Sequence, residues 1–124
     1  MHIITAGSAP RFELPGVEFT GYAAPSRGSD ALCTWQITVA PGLVSDQAHT
    51  LDQDEIFQVT SGAIRLNADG PVLAAGDCAV VPAGEPILLS NPGDAAATAI
   101  VVIRSGFAAT MADGSTVSSP PWAQ

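Results

Sequence analysis

The chain has no lysine. Its basic residues are four arginines, set against twelve acids for a formal net charge of −8. Such a surface repels nucleic-acid phosphates and anionic lipid headgroups, so neither nucleic acid nor a membrane is an expected partner. Long apolar runs are also missing: none approaches the roughly 18 to 20 residues of a membrane span. Yet 47% of the residues are hydrophobic, which argues against disorder and for a folded core. The start, Met1-His2-Ile3-Ile4-Thr5, lacks the basic stretch and apolar block of a signal peptide, so a cytoplasmic location is expected. Histidine and cysteine are scarce, two of each. Cys33 and Cys78 both lie in apolar, strand-like runs and are expected to be reduced core residues. No glycine-rich phosphate loop, Ser-His-Asp order or CxxC pair occurs.

What the chain does have is punctuation. Glycine and proline interrupt it at short intervals, and the segments between them alternate or run apolar, which is an all-β pattern. Val17–Tyr22 alternates, and Ala31–Val39 is rich in β-branched and aromatic residues. Glu55–Thr60 and Ala63–Leu66 flank Ser61-Gly62 as an expected tight hairpin, and Asn67–Pro71 marks the next turn. Val72–Ala74, Cys78–Val81, Ile87–Ser90 and Thr98–Arg104 supply further strands, and helical periodicity is absent. Residues 1–124 read as one domain, a sandwich or jelly-roll barrel. The tail carries an Asp113-Gly114 turn and then Pro120-Pro121-Trp122. That tryptophan is expected to pack on the outside of the barrel or across a dimer, with pocket lining as the alternative.

The chemistry-bearing residues fall in two runs. The first begins at Gly42, passes His49 and Leu51, reaches Glu55 and, after six more residues, Gly62. The second runs from Gly76 through Pro82-Ala83-Gly84 and Ile87 to Asn91. Together they resemble the paired motifs of the cupin family. The first of those motifs carries two alternate histidines and a glutamate between glycines; the second carries Gly, Pro-x-Gly, a histidine and an asparagine. The resemblance covers roughly residues 31 to 104 and implies a cupin-type double-stranded β-helix, a jelly-roll barrel. In that family the histidines and the glutamate converge on a divalent metal. Here His49 and Glu55 match, while Leu51 and Ile87 stand where two imidazoles would be. A tight metal is therefore disfavoured and no cofactor is expected, because two donors are replaced by hydrocarbon.

Two registers are available for the first run. Counted forward from Gly42, the histidine positions fall on Ala48 and Thr50; counted back from Glu55, they fall on His49 and Leu51. A slip of one residue would turn His49 to the opposite face of its strand. The Glu55 register is adopted, since Glu55 to Gly62 fits without adjustment and puts apolar Leu51 inward. In that register His49 and Glu55 share a pocket walled by Leu51, Phe57 and Ile87, with Trp35 added from the preceding strand. Apolar walls raise a carboxyl pKa, whereas an adjacent imidazolium would lower it.

The leading expectation is a metal-independent isomerase or cyclase with His49 and Glu55 as catalytic residues and Trp35, Leu51, Phe57 and Ile87 binding a small organic molecule. A non-catalytic ligand-binding protein is the rival reading. A metal-dependent oxygenase with an unorthodox ligand set stands third. Asp52, Asp54, Asp77 and Asn91 are assigned to turns, Arg65 is expected to point outward, and a homodimer is expected.

Overall fold

Along Leu32–Val39 and Ala97–Arg104 every second residue is buried, as the alternation requires. These are the two long central strands of the computed structural model, which describes residues 1–124. In chain order the strands are β1 (Arg11–Leu14), β2 (Val17–Gly21), β3 (Leu32–Val39), β4 (His49–Leu51), β5 (Glu55–Ser61), β6 (Ala63–Ile64), β7 (Leu73–Ala74), β8 (Cys78–Val81), β9 (Ala97–Arg104), β10 (Ala108–Met111) and β11 (Thr116–Ser118). The only helical pieces are the 3-10 turns Pro25–Arg27 and Pro121–Ala123. No helix is long and apolar enough to cross a membrane.

One sheet has the order β1-β2-β3-β9-β5-β8, with β3 and β9 paired antiparallel from Leu32 opposite Arg104 to Val39 opposite Ala97. Facing it are β11-β10-β4 and the β6-β7 pair. The expected strand Ile87–Ser90 joins these two. His49 N–H donates to the Ile87 carbonyl at 3.1 Å and Ile87 N–H to that of His49 at 2.8 Å, while on the other side Leu88 N–H reaches the Leu66 carbonyl at 2.7 Å. The result is two sheets closed over one core, the all-β jelly roll that the sequence implied. Cys33, Val39, Val59, Ile64, Val101 and Ile103 are among the most completely buried side chains. Each apolar one of this size contributes about 1.5 to 3 kcal/mol on burial.

Two expectations fail. Ser61-Gly62 does not close a hairpin: β5 pairs with β8 and β9, whereas β6 pairs with β7. The register slips between Val59 and Ser61, and Gly62 takes φ +68° with no room for a side chain, since a Cβ there would lie 2.8 Å from Ala97 Cα. A bulge followed by a left-handed glycine is how a strand turns a corner from one sheet to the other. The second failure is Cys78, which is exposed, because β8 is an edge strand and position 78 faces outward; Cys33 is buried as expected, and both thiols are free.

The assigned turns hold. Asp77 accepts Ala74 N–H at 2.8 Å, and Asn91 accepts Gly93 N–H at 2.9 Å. Asn91 does more than cap its turn: fully buried, it donates to the carbonyls of Val39 at 3.0 Å and Ala95 at 2.9 Å and ties the end of β3 to the loop before β9.

Candidate functional site

Directly opposed residues of antiparallel strands share a face. Trp35, Val101 and Phe57 therefore form one inward row across β3, β9 and β5, and Cys33, Ile103, Glu55 and Val81 form the next. From the facing sheet, His49 lies opposite both Ile87 and Met111, and Leu51 opposite Ala109. These rows enclose a cavity of about 350 Å³, lined by 19 residues of which 14 are hydrophobic. All six residues singled out in the sequence line it: Trp35, His49, Leu51, Glu55, Phe57 and Ile87. His49 and Leu51 line the cavity while Ala48 and Thr50 do not, so the register counted from Glu55 is the one the chain adopts.

The motif did not reveal the residues supplied by the termini, including Leu14, Phe19, Met111, Val117 and Trp122. For Phe19 a signal existed, the alternation of Val17 and Phe19. Trp122 lines the cavity instead of packing outside it, its ring stacked on Phe19 at 3.7 Å between centroids and 11° between planes. A short tail folding back onto the cavity is a tertiary event with no local pattern to announce it.

Glu55 is the one charged residue that is buried, 4% exposed among neighbours that are almost all hydrocarbon. Burial pushes its carboxyl up to about 8. Its Oε2 is enclosed without a hydrogen-bond partner in the chain. Burial acts on His49 in the opposite sense and lowers its pKa, disfavouring the imidazolium. The two form neither a hydrogen bond nor an ion pair; the one ion pair of the chain is Arg11–Glu18, far out on β1 and β2. Desolvation, not mutual attraction, sets both groups. Near neutral pH Glu55 holds its proton and His49 does not carry one to spare.

None of the four arginines lines the cavity. Arg65, expected to point outward, is half-buried with its Nε enclosed and unpartnered, because its backbone is stitched to Ser90 where β6 meets the 87–90 segment.

The residues present do not fit a divalent metal. Leu51 and Ile87 offer no donor, and no group of three or more His, Cys, Asp or Glu side chains gathers anywhere in the chain. His2 sits against Gly28 on another surface, Cys33 Sγ donates to the Ala123 carbonyl at 3.3 Å, and Cys78 faces outward. Two donors fall short of the three protein ligands of a usual catalytic site.

Comparison with known proteins agrees with this architecture. A polyketide cyclase, RemF from Streptomyces resistomycificus, superposes with a TM-score of 0.73 at 14% identity, covering 84% of this chain and 79% of its own. A sugar phosphate isomerase of the cupin superfamily from Silicibacter pomeroyi gives 0.72 at 24% identity, covering 96% and 92%. KdgF from Halomonas sp. gives 0.67 at 17%, covering 82% and 90%. Likeness at these identities speaks to fold alone. No curated protein matches the sequence at a significant level. Residues 35–103, more than half of the chain and all six of the cavity residues named from the sequence, match the cupin domain, and the chain belongs to that family.

Proposed function

We propose that the barrel takes up a small, neutral, largely apolar organic molecule and moves a proton on it without a metal, as an isomerase or cyclase does. The carrying observation is Glu55: a carboxyl pushed up to about 8 by burial, with an unpartnered oxygen, at the wall of an apolar cavity. A cavity of this size suits a small ligand. With no cation in its lining, an anionic group would enter uncompensated. That favours a neutral substrate such as a ketone over a sugar phosphate.

When environments drive an acid and a base apart in this direction, their roles follow. Glu55 is the proton donor and His49 the acceptor. A ring nitrogen of His49 takes a proton from carbon next to a carbonyl as the Glu55 hydroxyl delivers its own to the carbonyl oxygen, giving an enol, an imidazolium and a carboxylate. Reversal restores both groups: the carboxylate recovers the enol proton and the imidazolium returns one to carbon, at the original position or a conjugated one. No oxidant or co-reactant is consumed. The gap between His49 and Glu55 lets them engage different atoms of one ligand.

The same gap favours a second reading, binding without catalysis, because a pre-formed pair is not there. Carbon-bound hydrogen exchange separates the two. In D₂O, 2-tetralone followed by NMR should exchange its enolisable protons faster with the protein than in buffer, and the effect should fade above about pH 8 as Glu55 ionises. Glu55→Gln and His49→Ala should each lower the rate by about 10²-fold or more while 2-tetralone still binds. Exchange that survives in His49→Ala would sink the proton-transfer reading and leave the binding one.

A further inference from the structure

Residues Pro120–Gln124 lie outside the cupin motif, yet they are pinned to the barrel through most of their length. The Trp122 carbonyl accepts Arg27 Nη2 at 2.6 Å, and the same guanidinium donates through Nε to the Tyr22 carbonyl at 2.6 Å. Gly21 makes this clamp possible, because a Cβ there would lie 2.9 Å from Arg27 Nη2 and 3.2 Å from the Trp122 oxygen. Ser26 Oγ donates to the Gln124 carbonyl, Cys33 Sγ to that of Ala123 at 3.3 Å, and Gln124 Nε2 to that of Ser119 at 2.8 Å. The carbonyls of Trp122, Ala123 and Gln124 are thus each met. The indole Nε1 of Trp122 is not: it is buried and has no partner in the chain.

Buried polar groups in native proteins are nearly always paired, and tryptophan N–H usually finds an acceptor when enclosed. A donor fixed by stacking on Phe19 and by a clamped backbone, enclosed and unpaired on a residue that lines a largely apolar cavity, has the properties of a group whose acceptor arrives with the ligand. We infer that Trp122 is the specificity-determining residue of this site, its indole N–H selecting flat, neutral ring compounds that carry a carbonyl oxygen. The inference rests on the cavity being a small-molecule site, as proposed above, and is independent of whether a proton moves there. The ring face supplies stacking area and the N–H supplies the discrimination, which is largest where a buried donor would otherwise stay unpaired.

The test compares flavone with flavan, which has the same rings without the carbonyl, by calorimetric titration. The unaltered protein should prefer flavone by about tenfold or more. Trp122→Phe, which keeps an aromatic ring and removes the N–H, should lose about tenfold of that preference with flavan affinity little changed. A merely structural tryptophan would instead weaken both ligands alike. Should Trp122→Phe fold poorly, the unaltered chain still answers. It has two indole N–H groups, Trp35 and Trp122, and flavone but not flavan should shift the Trp122 resonance, identified by its loss in Trp122→Tyr. A preference that survives Trp122→Phe, a flavone-dependent shift confined to Trp35, 1-naphthyl phosphate binding as tightly as flavone, or no binding of flavone or the smaller chromone would each overturn the proposal. The proton-transfer reading fails on different grounds, namely 2-tetralone exchange that does not need His49, so failure of one is distinguishable from failure of the other.

Discussion

Glu55 and His49 stand on walls built in different ways. The Glu55 wall is the β3-β9-β5 sheet, in which β9 is hydrogen-bonded on both sides over nearly its whole length and inward side chains form unbroken rows. The His49 wall is made of short pieces. β4 is three residues long, paired with β10 along one edge and held to Ile87 by a single bridge along the other. Burial follows construction: Glu55 is fully enclosed, His49 only half-buried. A continuous sheet can hold a carboxyl away from water and so keep it protonated. A pieced wall is suited to carry the group that must approach different ligands, since segments with few bonded neighbours open and shift more readily.

The largest expected effect tests whether that pieced wall keeps one face toward Glu55. Leu51→His combined with Ile87→His would place imidazoles two residues along β4 from His49 and directly across from it. With Glu55 this completes a four-donor set, and zinc affinity should rise by about 10³-fold or more over the unaltered chain. Removing two core aliphatics costs a few kcal/mol, roughly offset when metal is bound. Calorimetric titration with zinc decides it. No gain in a variant that stays folded would mean that the wall does not hold these positions together, and the contrast between walls would have to be redrawn.

The sequence carried this wall's register because an alternation of two fixes the face once one residue is anchored. Glu55 supplied the anchor through its spacing to Gly62, and Leu51 confirmed it by being apolar at an inward position. The corner at Gly62 was misread as a hairpin for the converse reason. A glycine between two short apolar segments is locally the same whether the chain doubles back or crosses to the facing sheet, and only the contact with Ala97 distinguishes them. Trp122 was out of reach in a different way. Its role depends on Arg27, Gly21 and Phe19, about a hundred residues away, and no local pattern encodes a clamp between chain ends. Composition bears on one further feature of the site. With no lysine and four arginines, the chain had few cations to give a cavity, and it gave none.

The next effect in size is the pH dependence of stability, where the two walls should act with opposite signs. Glu55 has its folded pKa raised to about 8 from an ordinary value of 4.5. In that interval the unfolded chain releases a proton that the folded one retains. The stabilising contribution is fully present below about 4.5 and is lost progressively as pH rises to about 8, by about 5 kcal/mol at most. His49, lowered by burial, contributes stability that is present above 6.5 and is lost as pH falls through its folded value. Glu55→Gln should therefore flatten the alkaline limb of a denaturant-midpoint profile and leave the acid limb, and His49→Gln should do the reverse. An alkaline limb unchanged in Glu55→Gln would show that the sheet wall does not desolvate the carboxyl.

The smallest effect concerns the loop that joins the walls. Between β4 and β5, Asp52 accepts Ala108 N–H of β10 at 2.9 Å, and Asp54 accepts Ala83 N–H beyond β8 at 2.9 Å. Read from the sequence, both aspartates belong to a solvated turn. They are exposed, but each fastens the loop to a different wall. Asp52→Ala and Asp54→Ala should each cost about 1 kcal/mol in thermal or denaturant unfolding, a typical value for one exposed side chain to backbone bond. Their effects on 2-tetralone exchange should differ, because the remaining supports differ. Glu55 keeps its pairing to Ile103 and Val81 when Asp54 is gone, whereas β4 is only three residues long and Asp52, just past its end, fastens it to β10. The Asp52 variant should lose several-fold more exchange rate than the Asp54 variant at equal loss of stability. Equal losses of rate would mean that the two walls position their residues with the same stiffness, and the division of labour between a fixed donor and an adjustable acceptor would fall.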